Sequence, residues 1–116
     1  MSTVVGVDSS TQSCKVLAVD IESGRIVSSA SAPHPDGTSI DPGHWNDALD
    51  KAWNDAGIRN LGKEVSGVSV AAQQHGMVAL DAENRPVHDA LLWNDTRSAD
   101  AAGTKVCSAT SRTRTP

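Results

Sequence analysis

Three β-branched, apolar stretches near the N-terminus are separated by short polar segments. The stretches cover 4–8, 14–20 and 26–31, and each has the length of a strand. The segments between them, 9–13 and 22–25, are rich in the hydroxyl, charged and glycine residues that are typical of turns. Because turns this short join antiparallel neighbours, the pattern predicts a three-stranded antiparallel meander.

The period changes after a loop over 33–43 that contains several Pro and Gly residues. Apolar residues then recur at helical spacing, namely Trp45, Ala48, Leu49, Ala52, Trp53 and Ala56. Asp41 followed by Pro42 is typical of a helix N-terminus, and Gly57 is typical of a C-terminus. The pattern predicts one amphipathic helix whose two Trp side chains belong to the core.

The stretch 65–72 is nearly continuous in small apolar residues. Continuous rather than alternating hydrophobicity predicts a strand that is buried on both faces. Three shorter elements are predicted beyond it, namely a hairpin-like pair over 77–80 and 86–88, a strand over 90–93 and a helix from 95 or 96 to 102.

The chain has 116 residues, 38% of them hydrophobic, and it lacks Phe and Tyr. This size allows one small domain, and this composition predicts a thin core that is shared with sequence outside the chain. Residues 104–116 hold six Ser or Thr and three basic residues without apolar periodicity. We expect residues 1–103 to form the folded part and 104–116 to be a disordered or spurious tail.

Charge and cysteine content narrow the class of protein. Residues 1–103 carry 14 acidic and 7 basic side chains, a net charge of −7, which argues against nucleic-acid binding. The N-terminus lacks the pattern of a secretory signal, and no apolar run reaches membrane-spanning length. Cys14 and Cys107 form neither a C-x-x-C pair nor a zinc-ligand pattern. We therefore expect a cytoplasmic protein without a membrane partner.

The first motif with candidate chemistry is the strand end and turn from Asp8 to Lys15. Turn amides and hydroxyl groups can hold phosphate oxygens, and a carboxylate can hold Mg²⁺ directly or through water. The same residues also suit a hairpin whose Asp and Ser cap their own backbone. Pattern alone favours this second interpretation.

Two more polar segments follow apolar stretches. Residues 73–76, Gln-Gln-His-Gly, offer the hydrogen-bond donors and acceptors that a polyol needs, but they also suit a plain polar strand end. Residues 92–97, Leu-Trp-Asn-Asp-Thr-Arg, combine an aromatic face for sugar C–H groups with polar partners for hydroxyl groups. For Thr96 we favour a capping role, and for Asp95 and Arg97 both interpretations are open.

Taken together and in this order, the segments resemble the FGGY carbohydrate kinase family. Asp8 and Thr11 match the opening strand and turn of that family, and Ser10 stands where the family commonly has Gly. Three further motifs match, namely D-P-x-x-W at 41–45, Q-x-H-G at 73–76 and L-W-x-D-x-R at 92–97. Gln74 occupies a position that is often Met in the members that phosphorylate xylulose, which this segment resembles most.

The resemblance implies an α/β fold of the actin-like ATPase (ribonuclease H-like) type. This chain would form the front part of the N-terminal domain, with a mixed sheet. The implied activity is transfer of the γ-phosphoryl group of ATP, with Mg²⁺, to D-xylulose. A homodimer is implied as one state of the full-length protein.

The resemblance also implies roles for particular residues. Asp8 would be a supporting catalytic acid on the phosphate and Mg²⁺ side, and the general base would lie beyond residue 116. The nucleotide-binding residues would be Asp8, Thr11, Ser13 and Lys15. The sugar-binding residues would be Gln74, His75 and, as a pocket wall, Trp93.

Two alternatives stay open at this point. The first is a kinase of the same family that acts on ribulose, gluconate or glycerol, although the Gln-His-Gly segment argues against glycerol. The second is a non-catalytic binding module with actin-like topology. For the kinase interpretation we expect no turnover from this chain alone and exposed apolar surface on it.

Overall fold

The structure is a computed structural model that describes residues 1–101 and 103. Its elements in chain order are β1 (Thr3–Ser9), β2 (Ser13–Asp20), β3 (Ile26–Pro33), β4 (Ser39–Ile40), α1 (Gly43–Asp55), α2 (Ile58–Leu61), a 3₁₀ turn (Gly62–Glu64), β5 (Val65–Ala72) and β6 (Ala90–Leu91). The predicted tail 104–116 lies outside the described residues, as does Ala102 at the end of the predicted last helix. Residues 99–101 of that helix are helical.

The main sheet has the strand order β3-β2-β1-β5. Strands β1, β2 and β3 form the predicted antiparallel meander, which is confirmed, and β5 pairs with β1 in parallel. The connection from β3 to β5 runs through α1. Because β3 and β5 run in the same direction, the chain must return to the other end of the sheet between them, and a tight turn is too short for this. The predicted mixed sheet is confirmed.

Helix α1 packs on one face of β2 and β3. The buried residues of α1 are Ala48 and Ala52. Their small side chains allow the helix to approach the sheet closely. The buried core consists of Val5, Val7, Cys14, Val16, Ala18, Ala32, Ala48, Ala52, Ala56 and Ile58. Trp53 packs against this core, whereas Trp45 packs on a second cluster of Ile40, Ala90 and Leu92.

The ends of α1 follow the sequence signals. The Asp41 carboxylate accepts the backbone N–H of Gly43 at 2.9 Å, as a helix-capping side chain does. Pro42 already has helical backbone angles, with φ −55° and ψ −23°. Gly57 has φ 68°, a left-handed conformation that costs glycine little, and it ends the helix.

The prediction that 65–72 is buried on both faces is wrong. Strand β5 exists, but it is the edge strand of the described sheet, and Val68 and Val70 on it are exposed. The reason is tertiary: α1 lies over β2 and β3, so within the described residues it leaves β5 without a cover. Met77, just beyond the end of β5, is exposed as well.

The shorter elements differ from expectation in extent. The hairpin-like pair is reduced to a bridge between Leu80 and Pro86. The strand predicted over 90–93 covers only Ala90–Leu91, and it pairs with Ser39–Ile40 in a separate two-stranded sheet. In the part of the chain that is described, no helix has the length and apolar character to cross a membrane.

Candidate functional site

The parallel pairing of β1 and β5 brings two of the predicted motifs to one edge of the sheet. Ser9 at the end of β1 is the register partner of Ala72 at the end of β5. The backbone N–H of Gln73 donates to the carbonyl oxygen of Ser9 at 3.1 Å. The turn after Asp8 and the segment that begins at Gln73 are therefore neighbours, at the carboxyl ends where ligands of α/β sheets bind.

The turn between β1 and β2 is held by its own hydrogen bonds. The backbone N–H of Ser10 donates to the carbonyl oxygen of Ser13 at 3.0 Å. The Ser10 hydroxyl donates to Oδ1 of the exposed Asp8 carboxylate at 2.5 Å. Sequence analysis gave Ser10 no role, although an Asp-x-Ser spacing at a strand end is a signal for this contact. This hydrogen bond ties the orientation of the Asp8 carboxylate to the Ser10 side chain.

An open cleft of about 580 Å³ adjoins this turn. We call it the turn cleft; its lining residues are Asp8, Ser10, Thr11, Gln12, Ser13, Lys15, Trp93 and Asn94. The structure thus brings together the four residues that were predicted to bind nucleotide. Asp8 and Lys15 are direct cross-strand partners, which places a carboxylate and a positively charged amine side by side at the cleft.

Trp93 lines the turn cleft, together with the predicted nucleotide-binding residues. Its indole Nε1–H donates to the Thr11 hydroxyl oxygen at 2.9 Å, and the side chain is 61% exposed. An exposed indole can offer its apolar ring to a ligand while its N–H keeps a polar partner. Its predicted role as a wall of the sugar pocket stays a prediction.

Gln74 and His75 are exposed beyond the end of β5 and line neither of the cavities at this edge. His75 has φ 63°, a left-handed conformation that costs a residue with a β-carbon on the order of 1 kcal/mol. Strained backbone of this kind is concentrated at functional sites, where surrounding structure holds it.

A second pocket at this edge, of about 170 Å³, is lined by Ser9, Trp45, Ala72, Gln73, Gly76 and Val78. Trp45 Nε1 and Gln73 Oε1 are buried without a hydrogen-bond partner in the described residues. Sequence analysis assigned Trp45 to the core, which fits its packing but leaves its indole nitrogen unexplained.

The Asp95 carboxylate forms hydrogen bonds and an ion pair with Thr38 and Arg97. Its carboxylate accepts the backbone N–H of Arg97 at 2.9 Å, the Thr38 hydroxyl at 2.7 Å and the Arg97 side chain. The backbone N–H of Arg97, then the Thr38 hydroxyl and the Arg97 side chain lower the pKa of Asp95 to about 2. Of the two interpretations left open for Asp95 and Arg97, the structure supports a local structural role.

Cys14 is a free, buried cysteine in β2. Burial raises the pKa of the Cys14 thiol, and the nearby Asp8 carboxylate adds to this effect. A neutral, buried thiol is a poor nucleophile, so Cys14 has a packing role. Cys107 lies outside the described residues.

Side chains that could bind a metal ion together are lacking in the described part of the chain. Within residues 1–101 and 103, no group of three or more His, Cys, Asp or Glu side chains is arranged to hold a metal ion. A single carboxylate such as Asp8 suits Mg²⁺, which keeps several waters and takes further ligands from phosphate groups.

Comparison with known proteins gives the family. Residues 3–107 match the model of the N-terminal domain of the FGGY family of carbohydrate kinases. A xylulose kinase from Arthrobacter sp. is 52% identical over 99 residues, covering 85% of this chain and 100% of that sequence. A xylulose kinase from Streptomyces coelicolor is 52% identical over 103 residues, covering 85% of this chain and 21% of that one.

The fold is shared with solved structures. The crystal structure of xylulose kinase from Bifidobacterium adolescentis superposes with a TM-score of 0.79 at 49% identity, over 87% of this chain and 19% of that chain. The chain thus spans about a fifth of the length of that kinase and of the Streptomyces coelicolor kinase. The predicted actin-like ATPase fold, as a partial N-terminal domain, is confirmed. The chain belongs to the FGGY family of carbohydrate kinases.

Proposed function

We propose that this chain works as the N-terminal part of an ATP-dependent kinase that phosphorylates D-xylulose to D-xylulose 5-phosphate in the cytoplasm. The observation that carries the proposal is the turn cleft, where an acid, a base and several hydroxyl groups meet at the end of β1. Identity of 52% to two xylulose kinases supports the choice of sugar. A homodimer of the full-length protein stays a prediction.

The turn cleft suits the phosphate groups of ATP. The Thr11 and Ser13 hydroxyl groups and the Lys15 amine are donors that phosphate oxygens accept. Lys15 forms no ion pair within the described part of the chain, so its charge is available to a ligand. These residues would bind and orient the nucleotide without themselves forming or breaking bonds.

Asp8 is the residue that would hold Mg²⁺, directly or through a bound water. The Ser10 hydroxyl donates a hydrogen bond to Oδ1 of the Asp8 carboxylate. Within the described residues the other oxygen, Oδ2, has no hydrogen-bond partner and can face a metal-bound water. When bound, Mg²⁺ neutralises charge on the transferred phosphoryl group. Asp8 is therefore assigned to the phosphate side, and the general base is assigned to a residue outside this chain.

Gln74 and His75 are proposed to bind the sugar from the adjacent strand end. Amide and imidazole groups supply both donors and acceptors, which matches the mixed needs of a row of hydroxyl groups. The left-handed backbone at His75 is the feature of the structure that supports this assignment.

A chimaera tests the proposal. Residues 1–103 replace the matching segment of the Streptomyces coelicolor xylulose kinase, and sugar-dependent ADP release is measured with xylulose, ribulose, gluconate and glycerol. We expect kcat/KM to be highest for xylulose. A chimaera that is stably folded but prefers ribulose, gluconate or glycerol, or phosphorylates none of the four, contradicts the proposal. The family alternatives and the non-catalytic alternative predict these two outcomes.

Variants of the chimaera test the residue roles. Asp8→Asn should lower kcat by about 100-fold with little change in the KM for xylulose, because it removes a charge on the phosphate side. His75→Ala should raise the KM for xylulose more than it lowers kcat. Asp50→Asn, on the exposed side of α1, is the matched control and should leave both constants unchanged. The reverse pattern for Asp8 and His75 would contradict their assignment.

A further inference from the structure

His34 is buried although it lies in a loop. Its side chain is 6% exposed, and it is flanked by Pro33 and Pro35. The two proline rings restrict the backbone on either side of it, so the direction of the histidine is set locally. Sequence analysis placed His34 in a loop and gave it no role.

Two hydrogen bonds connect His34 to the turn after β1. Its backbone N–H donates to the carbonyl oxygen of Gln12 at 2.8 Å. Its ring Nδ1 lies 2.8 Å from the carbonyl oxygen of Ser10. Because a carbonyl oxygen can only accept, Nδ1 carries the proton and the tautomer of His34 is determined. Ser10 and Gln12 flank Thr11, so His34 holds the turn on both sides of that residue.

The hydrogen bonds continue from His34 to the Asp8 carboxylate. Nδ1–H of His34 donates to the carbonyl oxygen of Ser10, and the hydroxyl of the same Ser10 donates to Asp8 Oδ1 at 2.5 Å. A shift of the Ser10 backbone therefore moves the hydroxyl that orients Asp8. It also moves Thr11, which accepts the indole N–H of Trp93.

Packing alone does not account for a histidine at this position. The other ring nitrogen, Nε2, is buried without a hydrogen-bond partner in the described residues. Leaving a buried polar atom unsatisfied is unfavourable, and an apolar side chain of similar size would avoid it. The contact that an apolar side chain could not make is the Nδ1–H bond to Ser10.

We propose that His34 is a positioning residue for the phosphate side of the site. Through its Nδ1–H bond to Ser10 it holds the turn so that the Ser10 hydroxyl orients Asp8. The proposal rests on the proposed function for its effect on catalysis, but the hydrogen bond itself can be measured without any activity.

Two amide substitutions, each matching the position of one ring nitrogen, separate the hydrogen bond from packing. Asn carries its amide N–H at the same distance along the side chain as Nδ1, so His34→Asn can keep the bond to Ser10. In His34→Gln the amide lies one bond further, at the level of Nε2, and the bond to Ser10 is lost. Both variants remove the ring. His44→Gln is the control, since His44 is exposed and makes no side-chain hydrogen bond within the described residues.

In the chimaera, His34→Gln should lower kcat by about 100-fold, as expected when a catalytic group is displaced by about 1 Å, with the KM for xylulose little changed. His34→Asn should retain kcat to within about threefold, because a hydrogen bond of ordinary strength is kept. Equal losses in the Asn and Gln variants, with equal melting temperatures, would overturn the proposal, because packing alone would then explain them.

A second measurement uses the 116-residue chain and needs no activity. Long-range ¹H–¹⁵N NMR spectra report which nitrogen of a neutral histidine carries the proton. We expect the Nδ1–H tautomer at His34, and we expect the ¹³C resonance of the Asp8 carboxylate to shift in His34→Gln but not in His34→Asn or His44→Gln. An Nε2–H tautomer at His34, or an unchanged Asp8 resonance in His34→Gln, overturns the proposal. If the unsubstituted chimaera is inactive while these NMR results hold, the proposed function fails, and what stands is that the Nδ1–H bond from His34 to Ser10 orients Asp8.

Discussion

Val7 and Val70 allow a matched test of how the sheet is covered. They are direct register partners on the neighbouring parallel strands β1 and β5, so their side chains point to the same face. Val7 is 5% exposed and Val70 is 64% exposed. Substitution of each by Ala removes the same two methyl groups, and strand preference itself reflects how far a side chain is buried against its neighbours. Any difference between the two variants therefore reports burial.

The expected difference follows from the burial of the two side chains. At Val7, loss of two buried carbons costs about 1.6 kcal/mol, at about 0.8 kcal/mol for each. A residual cavity of about 40 Å³ adds about 1 kcal/mol, which brings the cost to about 2.5 kcal/mol. At Val70, about a third of the side chain is buried and no cavity forms, so the cost is about 0.5 kcal/mol. The variants should differ by about 2 kcal/mol.

Urea unfolding of the 116-residue chain, followed by Trp fluorescence, measures both free energies. In thermal unfolding of a domain of this size, we expect Val7→Ala to lower Tm by about 10–20 °C and Val70→Ala by about 2–4 °C. Equal destabilisation of the two variants would refute the reasoning, because it would mean that β5 is covered in the chain. The same pair in the chimaera is informative: a larger cost at Val70 there would show that the rest of the kinase covers β5.

Three further predictions concern single contacts. Gly57→Ala should destabilise the chain by about 1 kcal/mol in urea unfolding, since Gly57 has φ 68°, whereas Gly67→Ala, in open space at a normal strand conformation, should not; equal effects would contradict this. Asp95 has a pKa of about 2 in the folded chain and about 3.9 in the unfolded chain, so its ionised carboxylate should stabilise the fold at pH values above about 3.9. This contribution should be lost as the pH falls towards 2, and a ¹³C titration midpoint near 4 would contradict the prediction. Trp93→Phe keeps the aromatic face but loses the donor to Thr11, so kcat/KM of the chimaera should fall by less than about tenfold; a larger loss would show that the indole N–H matters beyond this bond.

Features that depend on neighbours in sequence were predictable. The meander follows from β-branched stretches joined by turns that are too short for any other pairing. The start of α1 follows from Asp41 and Pro42, and its end follows from Gly57. The position of Asp8 beside a hydroxyl-rich turn was predictable for the same reason, since the atoms involved lie within a few residues of each other.

Burial of β5 was not predictable in this way. Small apolar residues in 65–72 indicate a strand, but they do not say which elements lie over it, and here α1 lies over β2 and β3 instead. The pairing of Ser39–Ile40 with Ala90–Leu91 was likewise missed, because each stretch is too short to show a period.

The sequence by itself determined the meander, the helix with its ends, and the family, because these depend on local backbone preferences and on motifs within short segments. Only the tertiary structure decided which side chains meet at the site. It joined Trp93 to Thr11, 82 positions away, and His34 to Ser10, 24 positions away. Contacts between residues so far apart depend on how the strands and loops pack in three dimensions, and no local pattern records that packing.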